Sequence, residues 1–163
     1  MTAQQIFVTG TDTDIGKTVA SACLVRALDA DYWKPAQSGL TEGRDRDTIA
    51  DLTGLDVARI HPSTYELQAP LSLHEAARLE GITLDMNQFK LPATDNNLVV
   101  EGAGGVLVPI NDSDLMIDLS DQLGLPVVVV ARNRLGTIKH HLLTFEALQA
   151  RTLNTIGVIG DAP

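Results

Sequence analysis

With 163 residues, 44% of them hydrophobic and only 4% aromatic, the chain has enough aliphatic side chain for one core, which predicts a single domain over residues 1–163. A formal net charge of −9 argues against a nucleic-acid partner, which calls for a basic stripe, but leaves room for a small anion held by local cations. No apolar run approaches the roughly 18 residues of a membrane span and no basic, apolar leader opens the chain, so a cytoplasmic protein with no membrane partner is expected.

In chain order, QQIFVT reads as a strand, the loop from Gly10 to Thr18 follows, and KTVASACLVRAL reads as a helix. The single cysteine, Cys23, lies in that helix and is expected to be a small buried hydrophobe, in keeping with a reducing compartment. DYWKPAQSG reads as a strand running into a loop, and RDTIADLTG and SLHEAARLEG as helices closed by glycine. The strand NLVVEG, the helix LMIDLSDQLG, the strand LPVVVVAR, the helix TIKHHLLTFEALQA and the strand NTIGVIG complete the chain, while residues 56–97 are the least regular. Short Val- and Ile-rich runs between helical patterns predict strands buried on both faces of a parallel sheet, hence an α/β, doubly wound, mostly parallel architecture.

Ligands of such sheets bind beyond the carboxyl ends of the strands, which directs attention to Gly10–Thr18, Lys34–Ser38, Glu101–Gly105 and Arg132–Thr137. In the first, Gly10 and Gly16 flank a loop whose N–H groups can surround phosphate oxygens, Lys17 can reach terminal phosphates and Thr18 a Mg²⁺. The spacing Gly-x5-Gly-Lys-Thr is one residue longer than the usual phosphate loop, which points to a variant class. A magnesium nucleotide site needs hard oxygen ligands. Glu101 is the leading candidate, since it ends an apolar strand and precedes Gly102, Ala103, Gly104 and Gly105, which permit close approach. Asp47 is a second candidate, although an Asp before a helical pattern also reads as a cap. For Lys34, spacing leaves open a solvated charge or a second ammonium that stabilises phosphoryl transfer.

Taken together, GTDTDIGKT, KPAQSG, VEGAGG and LGTIKHHLLT resemble the dethiobiotin synthetases, with a match along nearly the whole chain in that family's order. The resemblance implies a P-loop NTPase-type fold and an ATP-dependent ligase of biotin synthesis, in which 7,8-diaminononanoate takes up CO₂ as a carbamate, ATP phosphorylates it, and the second amine closes the cyclic urea. It implies that Asp14, Ile15, Gly16, Lys17, Thr18 and Val19 hold the ATP phosphates, that Gly102, Ala103 and Gly104 adjoin the nucleotide, and that Thr18, Asp47 and Glu101 bind Mg²⁺. Lys34 matches the catalytic lysine, with Lys17 beside it, while Ser38 and Thr11 match the substrate-contacting positions. The N–H groups near Gly136, Thr137 and Ile138 would receive the substrate's carboxylate tail from a neighbouring subunit, so a homodimer is implied.

This sequence departs from the family's pattern at Lys139, where an Asn is usual, and at Asp161, which stands where an asparagine reads adenine. A carboxylate offers only acceptors to the base, so poor base selectivity is expected. Relatives are expected to continue beyond Pro163 through a further helix and strand. Asp12 and Asp14 either attract the diamine or bond their own loop backbone. The adjacent His140 and His141 point in different directions on a helix, which favours surface and core roles over metal binding. Two other functions share the fold: a partition-type ATPase switch, against which Thr11 stands where those proteins carry an extra lysine, and a non-catalytic or regulatory nucleotide-binding domain, against which Lys17, Lys34, Asp47 and Glu101 argue.

Overall fold

The structure, a computed structural model, describes residues 3–160, so Asp161 and its expected base contact lie outside the described residues. Strands β1 (Gln5–Gly10), β2 (Ala30–Trp33), β4 (Ile60–His61), β6 (Asn97–Gly105), β7 (Val127–Ala131) and β8 (Thr155–Gly160) form a parallel sheet in the order β4-β2-β6-β1-β7-β8. The two-residue strands β3 (Ala36–Gln37) and β5 (Tyr65–Glu66) pair separately beside it. Parallel neighbours require crossovers, supplied here by α1 (Lys17–Leu28), α2 (Asp45–Thr53), α3 (Leu73–Glu80), α4 (Met116–Leu123) and α5 (Thr137–Ala150).

Strand side chains alternate between faces, and both faces are covered. Ile6, Val8, Tyr32 and Val99 pack with Ala20, Val25 and Ile49 from α1 and α2. Phe7, Trp33, Leu98 and Val100 pack with Leu73, Met116 and Leu119 from α3 and α4. Helices on opposite faces make the sheet doubly wound, as the alternation of elements predicts. Gly54, Gly81 and Gly124 close α2, α3 and α4.

Two expectations need correction, and one stretch left unread in the sequence acquires elements. Strand β8 is buried on one face at most: it forms the sheet edge, and Ile156 and Val158 are more than half exposed. Cys23 is exposed rather than buried, since α1 turns Ala20, Ala22 and Val25 to the sheet and leaves the thiol outside. The irregular stretch 56–97 contains the edge strand β4, which is too short to show a period of its own and is held by pairing Tyr32 with Ile60 and Trp33 with His61.

Candidate active site

A cavity of about 870 Å³ opens at the carboxyl ends of β1, β2 and β6. Its floor is the loop between β1 and α1. Gly16 precedes the helix with φ of 87°, a left-handed conformation that glycine adopts without a Cβ clash. Gly10 is closed in from another direction, since a Cβ there would lie 2.6 Å from Ile15 Cδ1. The buried Ile15 thus anchors the loop in the core, while Asp14, Gly16, Lys17, Thr18 and Val19 line the cavity. The Asp12 carboxylate accepts from Thr13 N–H at 2.8 Å, which is the self-bonded alternative for this residue. Asp14 takes a left-handed backbone with φ of 53°, and its carbonyl accepts from the Arg132 guanidinium.

The wall of the cavity follows from strand register. Tyr32 pairs with Val99 and Trp33 with Val100, so alternation turns Tyr32 and Lys34 to the same face as Val99 and Glu101. This is the α1 face, and Thr18 meets them there. Lys34 Nζ donates to Glu101 Oε1 at 3.1 Å and also to Asp45, while Thr18 Oγ1 donates to Glu101 Oε1 at 3.0 Å. Tyr32 Oη donates to Glu101 Oε2 at 3.0 Å. Lys17 Nζ reaches back over the loop to the Asp12 carbonyl at 2.9 Å.

Charge is concentrated in this wall. Glu101 is wholly buried, and Lys17 and Lys34 are each 7% exposed. Burial, reinforced by the neighbouring Lys34, lowers the Lys17 ammonium below its ordinary range. Burial also pulls Lys34 down, but Glu101 and Asp45 together outweigh it and hold this ammonium above its ordinary range. Burial and the Glu101 charge push the Tyr32 phenol well above its usual value, so it remains a neutral donor. Two buried cations beside a helix N-terminus make a site suited to a polyanion.

Several sequence expectations fall elsewhere. Asp47 does not line the cavity: its side chain is 66% exposed and lies 3.8 Å from Arg46. On α2 the cavity-facing positions are Asp45 and Thr48, and Asp47 is turned about 200° from Asp45 around the helix. Gly102 is likewise absent from the cavity lining. A Cβ there would lie 2.9 Å from Phe7 Cζ, so this glycine serves packing, while Ala103 and Gly104 do line the cavity.

Ser38 lines the cavity and donates to the Leu71 carbonyl at 2.6 Å. Thr11 lines a second cavity of about 230 Å³, with His140 and Leu143 of α5 opposite. Gly136, Thr137 and Ile138 line neither cavity, and Ile138 is 71% exposed. The Thr137 hydroxyl is engaged locally, 2.6 Å from the Arg132 carbonyl and 3.1 Å from His141 Nε2. Sequence reasoning missed Asp45 and Tyr32. The signal for Tyr32 was its position two residues before Lys34 on one strand, and for Asp45 its place at the start of the helix in GRDRDT.

The geometry therefore joins a phosphate loop, two buried ammonium groups and a buried carboxylate around one cavity. Residues 4–161 match the AAA_26 family, described as an AAA domain. The ATP-dependent dethiobiotin synthetase BioD of Paramagnetospirillum magneticum is 56% identical over 154 residues, which cover 94% of this chain and 74% of that protein. The biotin biosynthesis bifunctional protein BioCD of Bordetella avium is 55% identical over 159 residues, covering 97% of this chain and 34% of the larger protein. Among solved structures, chloroplast FtsY from Physcomitrella patens aligns with a TM-score of 0.49 at 17% identity, over 98% of this chain and 50% of that one. At the identity and coverage shared with the BioD synthetase, the chain belongs to the ATP-dependent dethiobiotin synthetase family.

Proposed function

We propose that this chain carries out the dethiobiotin-forming reaction of its family on 7,8-diaminononanoate and CO₂, within the cavity lined by Lys17, Lys34 and Glu101. The observation that carries this reading is Lys34: a buried ammonium at the end of β2, beside the phosphate loop, where it shares Glu101 Oε1 with Thr18 and is held by Asp45 and Glu101. In the reaction, a carbamate oxygen attacks the γ-phosphorus of ATP and ADP leaves. The second amine then attacks the carbamoyl carbon of the mixed anhydride, phosphate leaves, the amine gives up a proton, and the cyclic urea closes.

Both steps gather negative charge on oxygen beside the phosphates of the nucleotide. Lys17 and the N–H groups from Asp14 to Val19 take the phosphates at the start of α1, and Lys34 meets the charge growing on the transferred phosphoryl group and the carbamate. Ser38 orients the diamine end from this cavity and Thr11 from the smaller one, which shares Thr13 and Val108 with it, and placing the reactants accounts for much of the remaining acceleration. Mg²⁺ fits the donor set, because the Thr18 hydroxyl and the Glu101 carboxylate are hard oxygens 3.0 Å apart at the cavity wall; when bound, it would offset phosphate charge. Ala103 and Gly104, which line the same cavity, are read as bordering the nucleotide.

The Gly136–Ile138 segment lines neither cavity of its own chain and exposes Ile138, which supports the reading that it serves the site of a second subunit in a homodimer. Its N–H groups at the start of α5 suit a carboxylate tail. No described helix is long and apolar enough to cross a membrane. We read the protein as a cytoplasmic enzyme of small-molecule substrates. The test is to incubate the protein with 7,8-diaminononanoate, bicarbonate, Mg²⁺ and ATP and to seek dethiobiotin by mass spectrometry. Stoichiometric dethiobiotin and ADP are expected, and ADP-binding protein that forms no dethiobiotin would favour the regulatory reading instead.

A further inference from the structure

Glu101 is wholly buried and carries a charge in the middle of β6, directly after its apolar Leu98–Val100 run, so its orientation must be fixed by hydrogen bonds rather than by solvent. Its two oxygens face different surroundings. Oε1 accepts from Thr18 and Lys34, both of which line the cavity. Oε2 accepts from the hydroxyl of Tyr32, a residue with no exposed surface, packed among Val99, Ile49 and Ile60 on the α1 face of the sheet. We propose that Tyr32 is a positioning residue for the metal site: by tethering Oε2 inside the core it turns Oε1 toward Thr18, where a divalent cation on the nucleotide would be held.

The inference rests on the reading of Glu101 and Thr18 as the metal's donors. Lys34 is too adaptable to fix the carboxylate alone, because it shares its ammonium with Asp45 and ends a flexible stem. Tyr32 has a rigid ring gripped by the core, so its hydroxyl sits at one place relative to β6. Without that donor, the plane of the carboxylate can turn about its terminal torsion to follow Lys34 and leave no oxygen aimed at Thr18. Partners that orient a metal's carboxylate in this way typically change metal affinity about 10- to 100-fold when removed.

The test compares Tyr32→Phe and Glu101→Gln by two binding measurements. Mn²⁺ affinity of the ADP complex is read by electron paramagnetic resonance of the free ion, and ADP affinity is read in EDTA. Tyr32→Phe should weaken Mn²⁺ binding about tenfold while leaving metal-free ADP affinity unchanged, whereas a purely structural role would lower the melting temperature and leave the metal dependence alone. Mn²⁺ affinity within about twofold of wild type in Tyr32→Phe, with a large loss in Glu101→Gln, would overturn the positioning role and spare the metal assignment. No loss in either variant would overturn both. Should Tyr32→Phe fail to fold, a second measurement needs only wild-type Tyr32: the chain has 2 tyrosines, so in Tyr65→Phe the ultraviolet resonance Raman bands of tyrosine report Tyr32 alone. Adding Mg²⁺ to the ADP complex should shift those bands, and invariant bands would overturn the proposal.

Discussion

Strand β2 carries a buried polar cluster at each end, and the two differ in what they leave available. At its start, Asp31 accepts from Arg59 at 2.8 Å, Thr94 at 2.7 Å, Asn96 at 3.0 Å and His61 at 3.2 Å, so this carboxylate is saturated by its own chain. At its end, Lys34, Glu101, Thr18 and Asp45 bond one another at the wall of a cavity that Lys17 also lines. A saturated cluster ties β2 to the chain entering β4 and β6 and has nothing to offer a ligand. A cluster with two ammonium groups on a cavity can exchange partners with an arriving polyanion. Burial and charge occur at both ends, and access distinguishes pinning from chemistry.

The sharpest way to break this comparison is Lys34→Ala. Removing a donor aimed at charge that develops in the transition state should cost about 2.7–4 kcal/mol of barrier, or about 10²–10³ in turnover, with ATP affinity little changed. Steady-state kinetics beside nucleotide titration would check it, and near wild-type turnover would return Lys34 to a structural role.

Asp31→Asn should do the reverse. Loss of a charged, buried acceptor should lower stability by about 1.5–3 kcal/mol in denaturant unfolding, with turnover per folded molecule retained. The pH dependence sharpens the contrast. Burial raises the Asp31 carboxyl, but Arg59, Thr94, Asn96 and His61 outweigh it and hold it below the usual carboxylate range. A depressed folded-state value means that its stabilisation is complete above the unfolded pKa and is lost as pH falls through the folded one. The gap between wild type and variant should therefore close progressively below about pH 4.

The smallest effect belongs to a residue in neither cluster. Cys23 is exposed on α1, so native protein should react promptly with a thiol reagent, and Cys23→Ser should change stability by less than about 0.5 kcal/mol without altering turnover. Protection from the reagent in native protein would mean that this face of α1 is covered in solution.

What the sequence by itself determined was local. The glycine spacing of the loop, the Val- and Ile-rich strands, the capped helices and the residues beside them all act within a few positions of the chain, so the phosphate loop and the placement of Lys34 at a strand end were legible in order, whereas Glu101 lies in the middle of β6, which runs on to Gly105. Tertiary structure decided how those pieces meet. The register of β2 on β6 brought Tyr32 beneath Glu101, a pairing between residues 69 apart that no local pattern encodes. The rotation of α2 turned Asp45 to the cavity and Asp47 to solvent, and the fit of Gly102 against Phe7 gave that glycine a packing role where its neighbours border the cavity. Sheet order likewise left one face of β8 open and made a two-residue strand of Ile60 and His61. Local composition sets which conformations are cheap, whereas facing, register and burial are set by contacts between distant segments that form together only in the folded chain.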